Sequence, residues 1–264
     1  MSPKPIVLNI ITITFEDPEG FASTSSSLKH QTSYEFNWIV KDGSITSYAS
    51  TLSDWCSTCT YKCSRDSGIY DAMNQGLQIA PPGWALFLNS GDVLASNDVV
   101  ESLLLYLEDP SFPLSEFTII CGSCLHAWPN KTLVKVSPKP IEYCRGVFAY
   151  RLPTVHQAMI FSPSLASSLA FDTSYRITGD GEYFWRAKSK GAQIVSIPLT
   201  ISTFVHGGRS MQYKGLLKQI EVFRYTRRYK LASLPILVLS GFMSALTTFG
   251  QRVIFSYLSF LENL

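Results

Sequence analysis

The stretch WALFLNSGD, residues 84–92, places the carboxylate of Asp92 shortly after an apolar run. Five successive apolar residues predict a strand buried on both faces, as in a parallel sheet. Ligands of open α/β sheets bind at the carboxyl ends of such strands. A carboxylate together with substrate phosphate oxygens is the usual arrangement around Mg²⁺ or Mn²⁺. We therefore predict that Asp92 holds a metal-bound diphosphate; the alternative is a structural acid in a capped turn.

The glycine-rich loops that cradle phosphate groups are absent from the sequence. Neither GxxxxGK[ST] nor a GxGxxG after the first predicted strand occurs. This absence disfavours dehydrogenases, P-loop NTPases and sugar nucleotidyltransferases. The charge of a bound diphosphate would then have to be balanced by a metal ion or by basic side chains.

Alternating strands and helices are predicted to position Asp92. The patterns predict strands over residues 7–15, 36–41 and 84–88 and helices over residues 21–30, 69–80 and 98–109, the last with Asn97 as its N-cap. This βαβ series predicts an α/β fold with a doubly wound, mostly parallel sheet. Polar groups follow the three strands at residues 14–17, 42–44 and 89–92, so we expect them along one edge of the sheet.

Composition limits the class of protein. The chain has 264 residues, 46% hydrophobic and 16% charged, which suits one large folded domain or a domain with an appendage. A net charge of +2 gives no argument for a nucleic-acid partner. The N-terminal sequence runs directly into a predicted core strand without a signal peptide, so we expect the catalytic part in the cytosol.

Six cysteines leave two interpretations open. The segments CSTCTYKC, from Cys56 to Cys63, and CGSC, from Cys121 to Cys124, contain CxxC pairs that could share one zinc ion. The long intervening sequence and the absence of an interleaved histidine favour reduced, partly buried cysteines instead.

Five segments in order carry a family resemblance: SLKHQTSYEFNWIVKDGS, DSGIYDAMNQGLQIAPPGWALFLNSGD, VHQAMIFSP, FDTSYRITGDGEYFWRA and FVHGGRS. Together they resemble family-2 glycosyltransferases with the GT-A fold, and are similar to the bacterial exopolysaccharide enzymes of colanic acid biosynthesis. The resemblance covers about residues 6–212. It implies a single nucleotide-sugar-binding domain and a hexosyltransferase-type, metal-dependent activity.

Five residues are assigned to the nucleotide side. The resemblance implies that Asp42 binds the nucleotide base and that Asp66 and Asp71 lie near the nucleotide. Thr14, at the polar end of the first strand, is placed in the same site, and Arg209, after two glycines that would allow a mobile loop, could pair with phosphate oxygens. Asp42 could otherwise be an ordinary turn residue. Asp71 could simply favour a helix N-terminus.

The resemblance also implies the metal ligands. LNSGD corresponds to the DxD-type motif, with Asp92 facing Mn²⁺ or Mg²⁺, although Asn89 and Gly91 replace acids found in the commoner LDADD. This departure puts the affinity for metal in doubt. His206, in FVHGGRS, is a candidate third metal ligand next to a loop that could close over the diphosphate.

Inverting transfer at an anomeric carbon needs a carboxylate that accepts the proton of the incoming hydroxyl group. The resemblance places Asp180 of TGDGEYFWRA at the position of this base, with Glu182 as the alternative because the motif is irregular. His156, in TVHQAMIF, is expected on the acceptor side, or else as a buried structural histidine.

The C-terminal segment differs from the rest of the chain. A basic stretch from Lys214 to Lys230 precedes twenty uncharged residues, 231–250, and a second apolar run, 253–261. We predict a catalytic domain over residues 1–212 and a basic, then apolar helical tail over residues 213–264. The tail could lie in the plane of the membrane, span it, or pack on the core. Membrane attachment would place the protein on the cytoplasmic face of the cell membrane.

Three functions are considered. The leading one is transfer of a sugar from a UDP- or GDP-linked donor to a glycan or lipid-linked acceptor, with inversion, in polysaccharide biosynthesis. The alternatives are a sugar nucleotidyltransferase and a catalytically inactive protein that binds a sugar nucleotide at the membrane. The LNSGD motif has fewer acidic residues than LDADD, and this is the best argument for the inactive protein.

Overall fold

The computed structural model describes residues 6–47, 59–128, 132–145, 151–206 and 215–230. Within these residues the strands are β1 (Leu8–Thr14), β2 (Asn37–Asp42), β3 (Cys59–Cys63), β4 (Trp84–Phe87), β5 (Val93–Leu94), β6 (Thr118–Ala127), β7 (Leu133–Val136), β8 (Met159–Phe161) and β9 (Gln193–Val205). The α-helices are α1 (Pro18–Lys29), α2 (Ile69–Ile79), α3 (Val99–Glu108), α4 (Pro163–Ser168), α5 (Gly179–Ser189) and α6 (Gly215–Arg228).

The described strands form one mixed sheet in the order β3-β2-β1-β4-β8-β6-β9-β5, with β7 paired to β6. β1 pairs in parallel with both β2 and β4, and β2 pairs in parallel with β3. This half is the doubly wound arrangement that the sequence predicts. The second half differs, because β8 runs antiparallel to both β4 and β6 and β5 runs antiparallel to β9. The longer ladders, including β6 with β9, remain parallel.

The three predicted strands and three predicted helices are present, with shifted ends. α1 begins at Pro18, earlier than predicted, because proline suits the first helical turn and Asp17 caps the helix with its carboxylate. The prediction of Asn97 as the N-cap of α3 is wrong, since Asp98 occupies that position. Asn97 instead offers its carbonyl oxygen to Thr32 N at 2.7 Å.

The core lies on both faces of the sheet. Successive residues of β1 alternate between them: Ile10 packs with Leu28 of α1 on one face, and Ile11 packs with Met73 of α2 on the other. Because both faces are covered, every residue of β1 is buried. The sheet is therefore packed between two helical layers.

Helix α6 lies beyond the predicted domain boundary at residue 212 but belongs to the same folded unit. Val222 and Tyr225 are buried in the core cluster that also contains Phe184 and Trp185 of α5. Among the described residues, no helix has the length and apolarity needed to cross a membrane. The apolar segment 231–264, on which the membrane prediction rests, lies outside the described residues.

The described cysteines on β3 lie too far from those on β6 to share a zinc ion with them. Cys59 and Cys63 lie on β3, whereas Cys121 and Cys124 are buried on β6, five positions away in the sheet order. At about 4.8 Å between neighbouring strands the two pairs are roughly 24 Å apart. The described cysteines are free thiols. Cys56 lies outside the described residues.

Candidate functional site

The carboxyl ends of β1, β2 and β4 meet at one edge of the sheet. Gly43 N donates to Thr14 O at 2.9 Å, and Ser90 N donates to Ile13 O at 3.0 Å. These bonds join the segments that follow the three strands, as the sequence predicts. The side-chain hydroxyl of Thr14 is buried and has no hydrogen-bond partner among the described residues.

Asp92 is held in a tight turn against α1. Its backbone N donates to Asn89 O at 2.9 Å, and Gly91 adopts a φ of +90°, a conformation that favours glycine. Thr24 Oγ1 of α1 donates to Asp92 O at 2.7 Å and accepts from Gly91 N at 3.1 Å. The orientation of this turn is therefore set by the positive φ of Gly91 and by the buried hydroxyl of Thr24.

The Asp92 carboxylate is buried with few donors around it. Its residue is 5% exposed, and its Oδ2 accepts one hydrogen bond from Gln157 Nε2 at 2.9 Å. Burial raises the pKa of Asp92 to about 6, an effect that Gln157, the charge of His156 and the backbone of Val205 offset only in part. A carboxylate that is poorly stabilised by its surroundings gains most from a bound cation.

A hydrogen-bonded series joins the LNSGD turn to Asp180. Asn89 Nδ2 lies 3.1 Å from Nε2 of His156, and Nδ1 of the same imidazole lies 3.4 Å from Asp180 Oδ2. If Asn89 donates to Nε2, the ring proton is on Nδ1 and faces Asp180. Because Gln157 contacts Asp92, the dipeptide His156–Gln157 connects the two carboxylates.

Asp180 lies in the first turn of α5, and its side chain is 24% exposed. Gly181 N donates to its Oδ1 at 2.9 Å, and the Tyr70 hydroxyl lies 3.4 Å from the same oxygen. Burial raises the pKa of this carboxyl, but His156, Gly181 N and the charge of Lys218 together outweigh it, so the net pKa is below the usual value. Asp180 is therefore ionised at neutral pH, as a general base must be.

Glu182, the alternative base, has a different environment. Its side chain is 0% exposed, and Tyr229 OH of the chain after α6 donates to Oε1 at 2.7 Å. Arg186 Nη2 lies 3.1 Å from Oε2, and Arg228 Nη1 lies 3.8 Å from Oε1. The structure thus places Glu182 in the α5–α6 contact, whereas Asp180 joins the series at the sheet edge.

Asp42 and Asp66 lie beside the end of β2. Asp42 Oδ1 accepts from Ser44 N at 2.8 Å, the bond expected of a turn residue, and its other oxygen accepts from Tyr61 OH of β3. Asp66 pairs with the buried Lys41 at 2.9 Å. Both acids are therefore held at the edge to which the resemblance assigns the nucleotide.

The contacts of Asp71 are those of a helix N-terminus. Its Oδ2 accepts from Ser67 N at 2.8 Å and from Ser67 Oγ at 3.0 Å. The hydrogen bond from Ser67 N is the main reason that the pKa of Asp71 is lowered. These bonds match the structural alternative considered for this residue.

His206 is part of a buried aromatic cluster at the end of β9. Its Nε2 lies 2.8 Å from Nδ1 of His126, and its ring stacks on Trp128 with the centroids 3.7 Å apart. Burial, aided by His126, lowers the pKa of His206 to about 4. The imidazole is therefore neutral at pH 7, the form that binds metal. Arg209 lies outside the described residues.

The turn around Asp92 fits a divalent cation that is shared with a substrate. Asn89 Oδ1 in the same turn is buried and has no hydrogen-bond partner in the described part of the chain. Carboxylate and amide oxygens suit Mg²⁺ and Mn²⁺. No three His, Cys, Asp or Glu side chains among the described residues are grouped as a metal site. Substrate phosphate oxygens are ligands that commonly join a protein carboxylate around such a cation.

The sequence analysis does not predict several residues that lie at the site. They contact the predicted acids from distant segments: Gln157 contacts Asp92, Tyr70 and Lys218 lie near Asp180, and Tyr61 contacts Asp42. Only Gln157 had a local signal, since it follows His156 directly.

Comparison with known proteins gives sequence relatives and fold neighbours. No family model matches the chain. Two proteins named as uncharacterized glycosyltransferases of Mycobacterium tuberculosis, MT1564 and Rv1514c, are each 29% identical over 205 residues, 76% of this chain and 74% of the relative.

Solved structures of proteins that bind nucleotide sugars share the fold. A 1–349 fragment of TarS from S. aureus in complex with UDP-GlcNAc matches with a TM-score of 0.62 at 15% identity, over 85% of this chain and 65% of that chain. The chain thus spans less than two thirds of that fragment, and 40% of a longer TarS chain. The mannosyltransferase PcManGT from Pyrobaculum calidifontis, in complex with GDP-Man and Mn²⁺, matches with a TM-score of 0.60 at 13% identity, over 94% of this chain and 75% of that chain. The mixed sheet and its helices are those of a GT-A-like glycosyltransferase fold.

Proposed function

We propose that this chain is a glycosyltransferase that moves a sugar from a UDP- or GDP-linked donor to a glycan or lipid-linked acceptor. The observation that carries the proposal is the series Asn89–His156–Asp180, which links a metal-suited turn to an ionised carboxylate. Relatives named as glycosyltransferases, and fold neighbours bound to UDP-GlcNAc and GDP-Man, support the same class of reaction.

The donor nucleotide would occupy the edge formed by β1 and β2. Asp42 and Thr14 would contact the nucleoside, with Asp66 and Asp71 near it, and Arg209 would pair with the diphosphate. The buried, unpartnered hydroxyl of Thr14 supports this placement.

The donor diphosphate would lie at the LNSGD turn. Asp92, with Asn89 beside it and His206 as a candidate further ligand, would hold Mn²⁺ or Mg²⁺. When bound, the cation would neutralise charge on the diphosphate. The few donors around Asp92 and its raised pKa support this role.

Asp180 would act as the general base on the acceptor side, next to His156. The acceptor oxygen forms a bond to the anomeric carbon while the bond from that carbon to the diphosphate oxygen breaks. The hydroxyl proton passes to Asp180, and the electron pair of the broken bond leaves with the nucleoside diphosphate. Attack opposite the leaving group inverts the configuration at the anomeric carbon.

A role in polysaccharide biosynthesis at the cytoplasmic face of the membrane is part of the proposal. It rests on the sequence of residues 231–264 and on the resemblance to exopolysaccharide enzymes. Attachment through this segment would bring the site close to lipid-linked acceptors.

The test is incubation of the full-length protein with a panel of UDP- and GDP-sugars, with and without Mn²⁺. Release of nucleoside diphosphate that requires Mn²⁺ and is lost in Asp180→Asn supports a glycosyltransferase. Formation of nucleotide sugar and pyrophosphate from a sugar phosphate and a nucleoside triphosphate would instead indicate a nucleotidyltransferase. Donor binding without turnover would indicate an inactive sugar-nucleotide-binding protein.

A further inference from the structure

Helix α6 contributes a buried carboxylate to the segment that precedes α5. Glu221 is 2% exposed. Its Oε1 accepts from Arg176 N at 2.7 Å, and its Oε2 accepts from Ile177 N at 3.0 Å and Thr178 N at 2.8 Å. The Thr178 hydroxyl donates to the same Oε2 at 3.1 Å. One side chain therefore fixes three successive peptide groups.

These peptide groups lead directly into the turn that carries Asp180. Thr178 is the N-cap of α5 but makes no side-chain cap bond within its own helix, because its hydroxyl donates to Glu221. A carboxylate at a helix N-terminus is favourable, since the helix dipole and the unpaired N–H groups both attract negative charge. Glu221 thus stabilises the start of α5 from a neighbouring helix.

The same face of α6 contacts the surroundings of Asp180. Lys218 and Tyr225 lie three residues before and four residues after Glu221, so all three share one side of the helix. A Cβ added to Gly181 would lie 3.1 Å from a ring carbon of Tyr225, so this helix packs closely against the first turn of α5. The charge of Lys218 acts on Asp180.

We propose that Glu221 is a positioning residue that holds Asp180 in the geometry required of the general base. This inference rests on the proposed function, since it concerns the same carboxylate. Without Glu221, residues 176–178 would lose the acceptor that orients them, and the first turn of α5 would shift. Misplacement of a reacting group by about 1 Å can lower a rate by about 10²-fold.

The test compares Glu221→Gln and Glu221→Ala with the matched control Tyr229→Phe in the full-length protein. Tyr229 also links α5 to α6, but through Glu182 and not through residues 176–178. We expect kcat for sugar transfer to fall by about 10-fold in Glu221→Gln, which keeps one acceptor oxygen, and by about 10²-fold in Glu221→Ala. KM for the donor should change by less than about twofold in both, because the nucleotide side is untouched. Tyr229→Phe should keep the wild-type kcat.

A second measurement does not depend on activity. Amide hydrogen exchange of residues 176–178 should become faster in Glu221→Gln and stay unchanged in Tyr229→Phe. If the wild-type protein turns over a donor and both Glu221 variants, correctly folded, keep its kcat, the positioning role is refuted while the proposed function stands. An equal loss of kcat in Tyr229→Phe would show that Glu221 acts only through the general packing of α6 against α5, and would refute its positioning role. Absence of donor turnover in the wild-type protein would overturn the proposed function and, with it, the role of Glu221.

Discussion

Replacement of Asp92 by asparagine should stabilise the metal-free protein while removing its activity. The carboxylate is buried, and its pKa is raised from 3.8 to about 6. Because the folded-state pKa lies above the unfolded one, the carboxyl group contributes stability below about pH 4 that is lost as the pH rises through about 6. Above pH 6 the ionised Asp92 therefore weakens the fold, and asparagine cannot ionise.

The size of the effect follows from the pKa and from the contacts. A rise from 3.8 to about 6 corresponds to about 3 kcal/mol at pH 7.5, at about 1.4 kcal/mol for each pKa unit. Gln157 Nε2 and the backbone of Val205 both interact with the carboxylate. An amide offers one oxygen to these two donors, so about 1 kcal/mol of hydrogen bonding is lost. The expected net stabilisation is about 2 kcal/mol.

Thermal unfolding of full-length protein in the presence of a chelator measures this gain. At pH 7.5 Asp92→Asn should raise Tm by about 4–8 °C, and at pH 4 the difference should disappear. Asp71→Asn is the matched control: its pKa is lowered by Ser67, so its ionised form stabilises the fold and the substitution should lower Tm at pH 7.5. An unchanged or lower Tm for Asp92→Asn at pH 7.5 would refute the hypothesis that the ionised carboxylate destabilises the fold and is retained because it binds a ligand.

Three further predictions test other parts of the site and the tail. Asp180→Asn should lower the transfer rate by roughly two to four orders of magnitude, measured by steady-state kinetics, and leave the nucleotide affinity, measured by calorimetry, unchanged. An equal loss of transfer rate and nucleotide affinity would contradict the role of Asp180 as the general base. Lys41→Met should destabilise the protein by about 3 kcal/mol in urea unfolding, because it leaves Asp66 without its buried partner, and a change below about 1 kcal/mol would show that the pair is not needed. Deletion of residues 231–264 should release the protein from membranes with nucleotide binding intact. Deletion of residues 213–264, which also removes α6, should abolish transfer. Recovery of the full-length protein in the soluble fraction would rule out the membrane anchor.

The parallel half of the fold is predictable because its signals are local. An apolar run followed by a polar turn marks β1, β2 and β4, and proline or glycine marks where the helices end. Strand β3 has no such signal, since CTYKC is half exposed and lies at the edge of the sheet. The antiparallel part has no local signal for a different reason: the pairing of β8 between β4 and β6 depends on contacts between residues far apart in sequence.

The contacts of the basic segment before the tail are also not predictable from the local sequence. Composition alone suggested that its charges face anionic lipid. In the structure, Arg224 lies over the ring of Tyr175 at 4.3 Å, and Arg228 pairs with the buried Glu182. Both arginines remain exposed, as does Arg227, whereas Lys218 is only partly exposed and its charge acts on Asp180. Which basic residues have partners within the protein is set by what the helix packs against, so a count of basic residues does not identify them.

The buried carboxylates differ most clearly in the number of donors that face them. Glu221 accepts four hydrogen bonds, three of them from backbone N–H groups, so donors of its own chain stabilise this carboxylate. Asp180 accepts from Gly181 and faces His156, yet part of its side chain is exposed, so it is both ionised and accessible. Asp92 interacts with two donors, the side chain of Gln157 and the backbone of Val205, and burial still raises its pKa to about 6. A buried charge that its own chain leaves poorly compensated costs folding free energy unless the group is protonated or paired with a cation. The contrast between Glu221 and Asp92 is therefore the physical argument for a cationic ligand at the LNSGD turn, and it holds independently of the family resemblance.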